Sequence, residues 1–130
     1  MKESTDLYRQ IHPSWITNGR IGSHAFVPSA KDSGMLSVYD GEQFAAIQAW
    51  THYTTVLNHA SAGVCSLTAA EAGSVKLSSR MDETGPGKFP GHAVIDFNSE
   101  AKSRWKTLGK QLRDFAVARG FQAMGTPASP

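Results

Sequence analysis

The chain has 130 residues, 40% of them hydrophobic and 18% charged, which is one domain's worth and enough to bury roughly two thirds of its unfolded surface. So few charges argue against a disordered chain, and apolar runs as short as Ala93-Val94-Ile95 leave no segment able to span a bilayer as a helix. Thirteen Lys and Arg against eleven Asp and Glu give a net charge of +2, too mild to imply a nucleic-acid partner by itself.

Met1-Lys2-Glu3-Ser4-Thr5-Asp6 lacks the apolar core of a secretory signal. With one cysteine, Cys65, neither an internal disulfide nor a multi-cysteine metal site can form. The expected setting is the reducing cytoplasm, without a membrane.

Short strands are expected in the first third. Asn18-Gly19 suits a two-residue hairpin turn between Trp15-Ile16-Thr17 and Arg20-Ile21. Ser23-His24-Ala25-Phe26-Val27 and Met35-Leu36-Ser37-Val38-Tyr39 read as further strands, the second closed by Asp40-Gly41. Phe44, Ile47, Trp50, Thr54 and Leu57 then recur at helical spacing and predict one buried helical face.

Val64-Cys65-Ser66-Leu67 reads as a short buried strand. Thr68-Ala69-Ala70-Glu71 has the form of a capping box opening a helix of about one turn, with Gly73 placed to stop it. Val75-Lys76-Leu77-Ser78 predicts another strand, and Glu83-Thr84-Gly85-Pro86-Gly87 a surface loop. His92-Ala93-Val94-Ile95-Asp96-Phe97 is the strongest strand signal, being β-branched and aromatic.

Ala101, Trp105, Leu108, Leu112 and Phe115 mark the strongest helix signal, a core-facing stripe capped by Ser99 or Asn98 and ended by Arg119-Gly120. The expected fold is a single α+β domain over residues 1–123. It has a mainly antiparallel or mixed sheet of about five to six short strands, and two main helices (44–57 and 99–119) packed on it. Residues 124–130 are expected to form a flexible tail.

Phosphate-loop, GxGxxG, GxSxG and HExxH motifs are absent from the sequence, so no cofactor is implied. The histidines at 12, 24, 52, 59 and 92 show no metal-ligand spacing; His52 and His59 would align only in a helix continuing through Asn58. Cys65, in an apolar setting, reads as a core residue.

The densest polar chemistry lies in the first forty residues. Arg9, His12, Ser23, Lys31, Asp32 and Tyr39 form a candidate cluster able to hold a phosphate and move a proton, as a metal-independent ribonuclease requires. The plain alternative pairs Arg9 with Asp32 or Asp6 and lets His12 end a strand before Pro13. His92 and Asp96, about 13 Å apart along a regular strand, are too distant for a direct relay. Lys102, Lys106, Lys110 and Arg113 form a basic stripe on the last helix, a candidate surface for a protein or nucleic-acid partner, or simply its solvated side. Trp15, Trp50 and Trp105 can all be core, or one can anchor a homodimer.

Tyr8-Arg9, with Ser23 or Ser37, resembles small NAD-consuming transferases, which also need a carboxylate on a late strand; Asp82, Glu83 and Asp96 are the acids available. From Tyr8-Arg9-Gln10 through His12-Pro13, Ser23–Phe26, Lys31-Asp32, Leu36-Ser37-Val38 and His92–Phe97, the chain resembles small bacterial proteins of unassigned function. That resemblance implies a compact accessory or mobile-element protein and transfers no catalytic residue. The expected function is binding of a partner or ligand. The competing expectation is a small enzyme acting on RNA or NAD, ribonuclease-like or ADP-ribosyltransferase-like, which requires Arg9 and His12 to converge in one pocket.

Overall fold

The computed structural model describes residues 1–124, so the expected tail lies, but for Met124, outside the described residues. Six strands form one antiparallel sheet: β1 (Asp6–Ile11), β4 (Met35–Asp40), β5 (Gly63–Thr68), β6 (Ser78–Met81), β7 (His92–Asp96) and β8 (Ala123–Met124). Their order is β6-β7-β4-β1-β5-β8, and every pairing is antiparallel. A separate hairpin joins β2 (Ile16–Thr17) to β3 (Arg20–Ile21). Its turn is the Asn18-Gly19 pair, both at positive φ, 51° and 76°, as a primed hairpin turn demands. The expected α+β class holds.

Strand alternation divides the sheet into two unlike faces. On one, Leu7, Ile11, Leu36, Val38, Leu67 and Ile95 are fully buried and pack with Leu108, Leu112 and Ala116 of the long helix α3 (Trp105–Arg119). Gly109 lets α3 pack closely on the Ser23–Val27 segment. A Cβ there would lie 2.3 Å from Val27 Cγ2 and 3.2 Å from the carbonyl oxygens of Ser23 and Phe26.

Several local expectations are corrected. Ser23–Phe26 is a tight 3₁₀ turn rather than a strand; Ala25 N–H donates to Gly22 O and Val27 N–H to His24 O. The turn drives Ala25 and Phe26 into the core, so burial of two neighbours, which a strand would point to opposite faces, decides the backbone. Val75–Ser78 is mostly turn: Lys76 sits at φ 70°, Leu77 N–H returns to Ala72 O, and β6 starts only at Ser78. The Thr68–Glu71 capping box forms as expected and opens α2 (Ala69–Ser74).

The first main helix is shorter and less regular than its apolar spacing predicts. Its α-helical part, α1, covers Ala46–Thr51 and is followed by a wider π-type turn, His52–Val56. Within α1 it is Ala49 that is buried, while Ile47, two residues earlier and so on nearly the opposite side of the helix, is 55% exposed. Asn58, at φ 58°, ends the segment, so the continuous helix that would align His52 with His59 does not form; among the described residues no group of three His, Cys, Asp or Glu side chains is placed to hold a metal ion. At the other helix, a 3₁₀ turn (Lys102–Arg104) precedes α3. Asn98 does not cap α3; it donates to Ser33 O at 2.9 Å. No helix among the described residues is long and apolar enough to cross a membrane.

Candidate functional site

The sheet is not evenly knitted. β1 pairs with β5 along all six of its residues, from Asp6↔Thr68 to Ile11↔Gly63, and β4 pairs with β7 from Met35↔Asp96 to Tyr39↔His92. Between them, β1 and β4 meet only at Leu7↔Asp40 and Tyr8↔Tyr39 and then part. The half-buried Arg9 side chain fills the split. Its Nε donates to Ala25 O at 2.8 Å and its Nη1 to Ser37 O at 2.9 Å, so a side chain replaces the missing ladder.

Arg9 therefore pairs with carbonyls rather than with Asp6 or Asp32, as the plain reading expected. Its guanidinium lies 5.2 Å from the Trp15 ring centroid, within cation–π range. Burial lowers its pKa to about 10, so it remains a cation at neutral pH. Nη2 has no protein partner among the described residues.

Around this split lies a cavity of about 690 Å³, within the range that takes small ligands and cofactors. Its basic side carries Arg9 and Lys31. Aromatic rings make much of the rest: Trp15, Tyr39, Tyr53 and Phe89, with the imidazoles of His24, His59 and His92. Asp32 is the lining carboxylate, and it is already engaged, accepting from Ser29 N–H and Oγ–H in a small capping box. Lys31 is exposed and makes no ion pair among the described residues.

The ring wall is built from three segments. On the second face of the sheet Tyr39 stands beside His92 as its cross-strand neighbour. The π-type turn supplies His52, whose Nδ1 lies 2.7 Å from Tyr39 Oη; it also supplies Tyr53, whose ring is 4.9 Å from that of His59. Such wide turns recur at functional sites. The loop after β6 supplies Phe89, whose ring is 4.5 Å from His52, 5.0 Å from Tyr39 and 5.2 Å from His92. That loop is pinned by the Lys88–Asp82 ion pair at 2.9 Å and by Gly91 N–H donating to Glu83 Oε2 at 2.7 Å.

Electrostatics keep the rings neutral. Burial raises the Tyr39 phenol well above its ordinary value and lowers His52 and His92 below theirs. His92 Nδ1 lies 2.8 Å from Asp82 O; a carbonyl can only accept, so Nδ1 carries the proton and Nε2 the lone pair. The Lys88 ammonium and the Gly91 N–H hold Asp82 and Glu83, respectively, below the usual carboxylate range.

Of the sequence-derived cluster, Arg9, Lys31, Asp32 and Tyr39 line the cavity. His12 is not among its lining residues: it caps the turn at Pro13–Trp15, with Nδ1 2.7 Å from Ser14 Oγ and 3.0 Å from Ser14 N. Ser23 sits in the 3₁₀ turn against α3 and does not line it either. Ser37, the other hydroxyl of the transferase resemblance, does. None of the late acids does, because Asp82, Glu83 and Asp96 are each tied into local pairs. Trp15, Tyr53 and Phe89, missed in the sequence reading as site residues, are aromatic side chains on or beside irregular segments; that placement is the one signal that pointed to them.

Lys102, Lys106 and Lys110 are exposed on or just before α3. Lys102 Nζ lies 5.9 Å from the Trp105 ring centroid, and Arg113 pairs with Asp114 at 3.0 Å. Arg113 also lines a shallower groove of about 430 Å³ beside the β2–β3 hairpin. Compared with family models, with curated proteins and with solved structures, the chain matches none.

Proposed function

We propose that this chain is a small ligand-binding domain whose cleft between β1 and β4 takes a nucleotide-class anion, a flat ring joined to phosphate. The observation that carries this reading is the composition of the cavity wall. Two cations, Arg9 and Lys31, face a set of aromatic rings, and the one lining carboxylate is already satisfied by Ser29. Cations with free donors suit phosphate oxygens, and ring faces suit a base. Cys65, unpaired and buried, supports a reducing, cytoplasmic setting for this binder.

ADP is the probe of choice, followed by Trp15 fluorescence and by calorimetry. Saturable binding is expected, weakening as salt rises and falling about tenfold in Lys31→Glu, a loss typical of one charge-assisted contact. No saturable response to ADP, or an affinity indifferent to Lys31→Glu and Arg9→Lys, overturns the reading.

An enzymatic reading, turnover of RNA or NAD in the same cleft, loses the expected Arg9–His12 pair, because His12 does not line the cavity, and rests instead on one specific observation: His24, His59 and His92 all line it and are groups suited to proton transfer. Chromatography of NAD and of a short RNA after incubation with the protein decides between them. Product that disappears in His59→Ala makes the chain an enzyme, and unchanged substrate at saturating protein leaves it a binder.

A further inference from the structure

Resting on the nucleotide reading above, we propose that the cleft takes its ligand end-on, with a free terminal phosphate seated on Arg9 Nη2. Phosphomonoesters then bind, and nucleotides capped at that phosphate are turned away.

The Arg9 guanidinium is hemmed in on three sides. Nε donates to Ala25 O and Nη1 to Ser37 O, while the Trp15 ring lies 5.2 Å from its central carbon. The strand pairs Leu7↔Asp40 and Tyr8↔Tyr39 close the split just before Arg9. Ala25 and Val38, beside the two carbonyl contacts, belong to the packed core at 0% and 1% exposure. Only Nη2 is left. Among the described residues Ser79 Oγ is the one fully buried side-chain polar atom without a partner. Nη2 has no partner either, so it is not sealed in: it opens to the cavity that Arg9 lines.

The charge at this point is unanswered. Arg9 makes no ion pair among the described residues, and Asp32 acts on it only through its field. A cation so far withdrawn from water calls for an anion in contact. A terminal phosphate is close to doubly ionised at neutral pH and turns three oxygens toward a donor. A phosphodiester brings one charge and two free oxygens, and it must lead a substituent away on each side. With both neighbouring nitrogens occupied and an indole alongside, the recess at Nη2 suits the chain end. Lys31, exposed and farther out on the cavity wall, is left to the rest of the phosphate chain. The diphosphate of NAD and the internal phosphates of RNA are capped in this sense.

The test compares ADP with ADP-ribose, which keeps the base, the ribose and both phosphates but caps the terminal one. The unmodified protein is expected to prefer ADP by at least about tenfold, the loss of one charge-assisted contact. Arg9→Lys keeps a cation but cannot hold Ser37 O and a phosphate on separate nitrogens, so it should shrink that preference several-fold. Lys31→Glu should weaken both ligands and leave their ratio unchanged. Equal affinity for the two ligands overturns the end-on inference, and that comparison decides the matter if Arg9→Lys does not fold. A ratio unchanged in Arg9→Lys, or one that falls as far in Lys31→Glu, overturns it as well. If both ligands bind equally and Lys31→Glu weakens both, the nucleotide reading stands without the end-on rule; if neither binds, both readings fall.

Discussion

The two faces of one sheet have been used for opposite ends. Toward α3, Leu7, Leu36, Val38, Ile95 and Phe97 are essentially without exposure, and the few polar groups on that side are Arg9, alternating with Leu7 and Ile11, Asp40, and Ser79, whose buried hydroxyl has no partner among the described residues. Across the sheet, the same strands present Gln10, Ser37, Tyr39 and His92, of which Gln10 donates to Ala49 O at 2.9 Å. α1 and its π-type turn cover the β1 side of this second face, and the cavity opens beside them. Apolar burial therefore concentrates on one face, while the ring wall of the cleft stands on the other, and Arg9, alternating with Leu7 and Ile11, reaches the cleft at the split between β1 and β4.

Substitutions that split the two faces test this division. The largest effect is expected from Leu112→Ala, at 0% exposure, which should cost about 3 kcal/mol of unfolding free energy by denaturant melts while leaving ADP affinity of the folded fraction unchanged. Gly109→Ala comes next. Its new methyl would meet Val27 Cγ2 at 2.3 Å, and overpacking of that kind costs about 1–3 kcal/mol, read as a lower Tm.

Acid should destabilise the second face first. His52 and His92 titrate below their ordinary 6.5 in the folded state, so on acidification the unfolded chain binds protons sooner. Their contribution is thus fully present above that value and is lost as pH falls through the depressed folded values. Between about pH 7.5 and about pH 5.5 the Tm should fall, and it should fall less in His52→Asn. A Tm that rises over that interval breaks the assignment of neutral buried imidazoles. The smallest effect belongs to Lys110→Glu on the exposed face of α3, within about 0.5 kcal/mol by the same melts.

The apolar face was largely legible in the sequence. Leu108 and Leu112 lie on a stripe that only a helix aligns, and His92–Phe97 and Val64–Leu67 are strands in which packing and propensity agree. Asn18-Gly19 specified its turn outright. The cleft at the β1–β4 split was legible only in part, because it is assembled from distant segments. Arg9 and Tyr39 stood out as polar groups, yet nothing in the residues near Arg9 says that β1 and β4 separate after two pairs, or that the guanidinium bonds Ser37 O and Ala25 O. His12 and Ser23 were grouped with Arg9 by closeness in sequence, whereas the 3₁₀ turns at Pro13–Trp15 and Ser23–Phe26 place them elsewhere. Phe89 belongs to the site only because Lys88 and Glu83 shape its loop.

Cys65 offers a practical handle. Its thiol is fully buried and pushed up to about 12 by that burial, so alkylating dyes at neutral pH should pass it by. Ser37, exposed at the rim of the cavity, differs from cysteine by a single atom. In Ser37→Cys the introduced thiol would be the chain's one reactive position, and a fluorophore fixed there would report occupancy in real time, against an otherwise silent background.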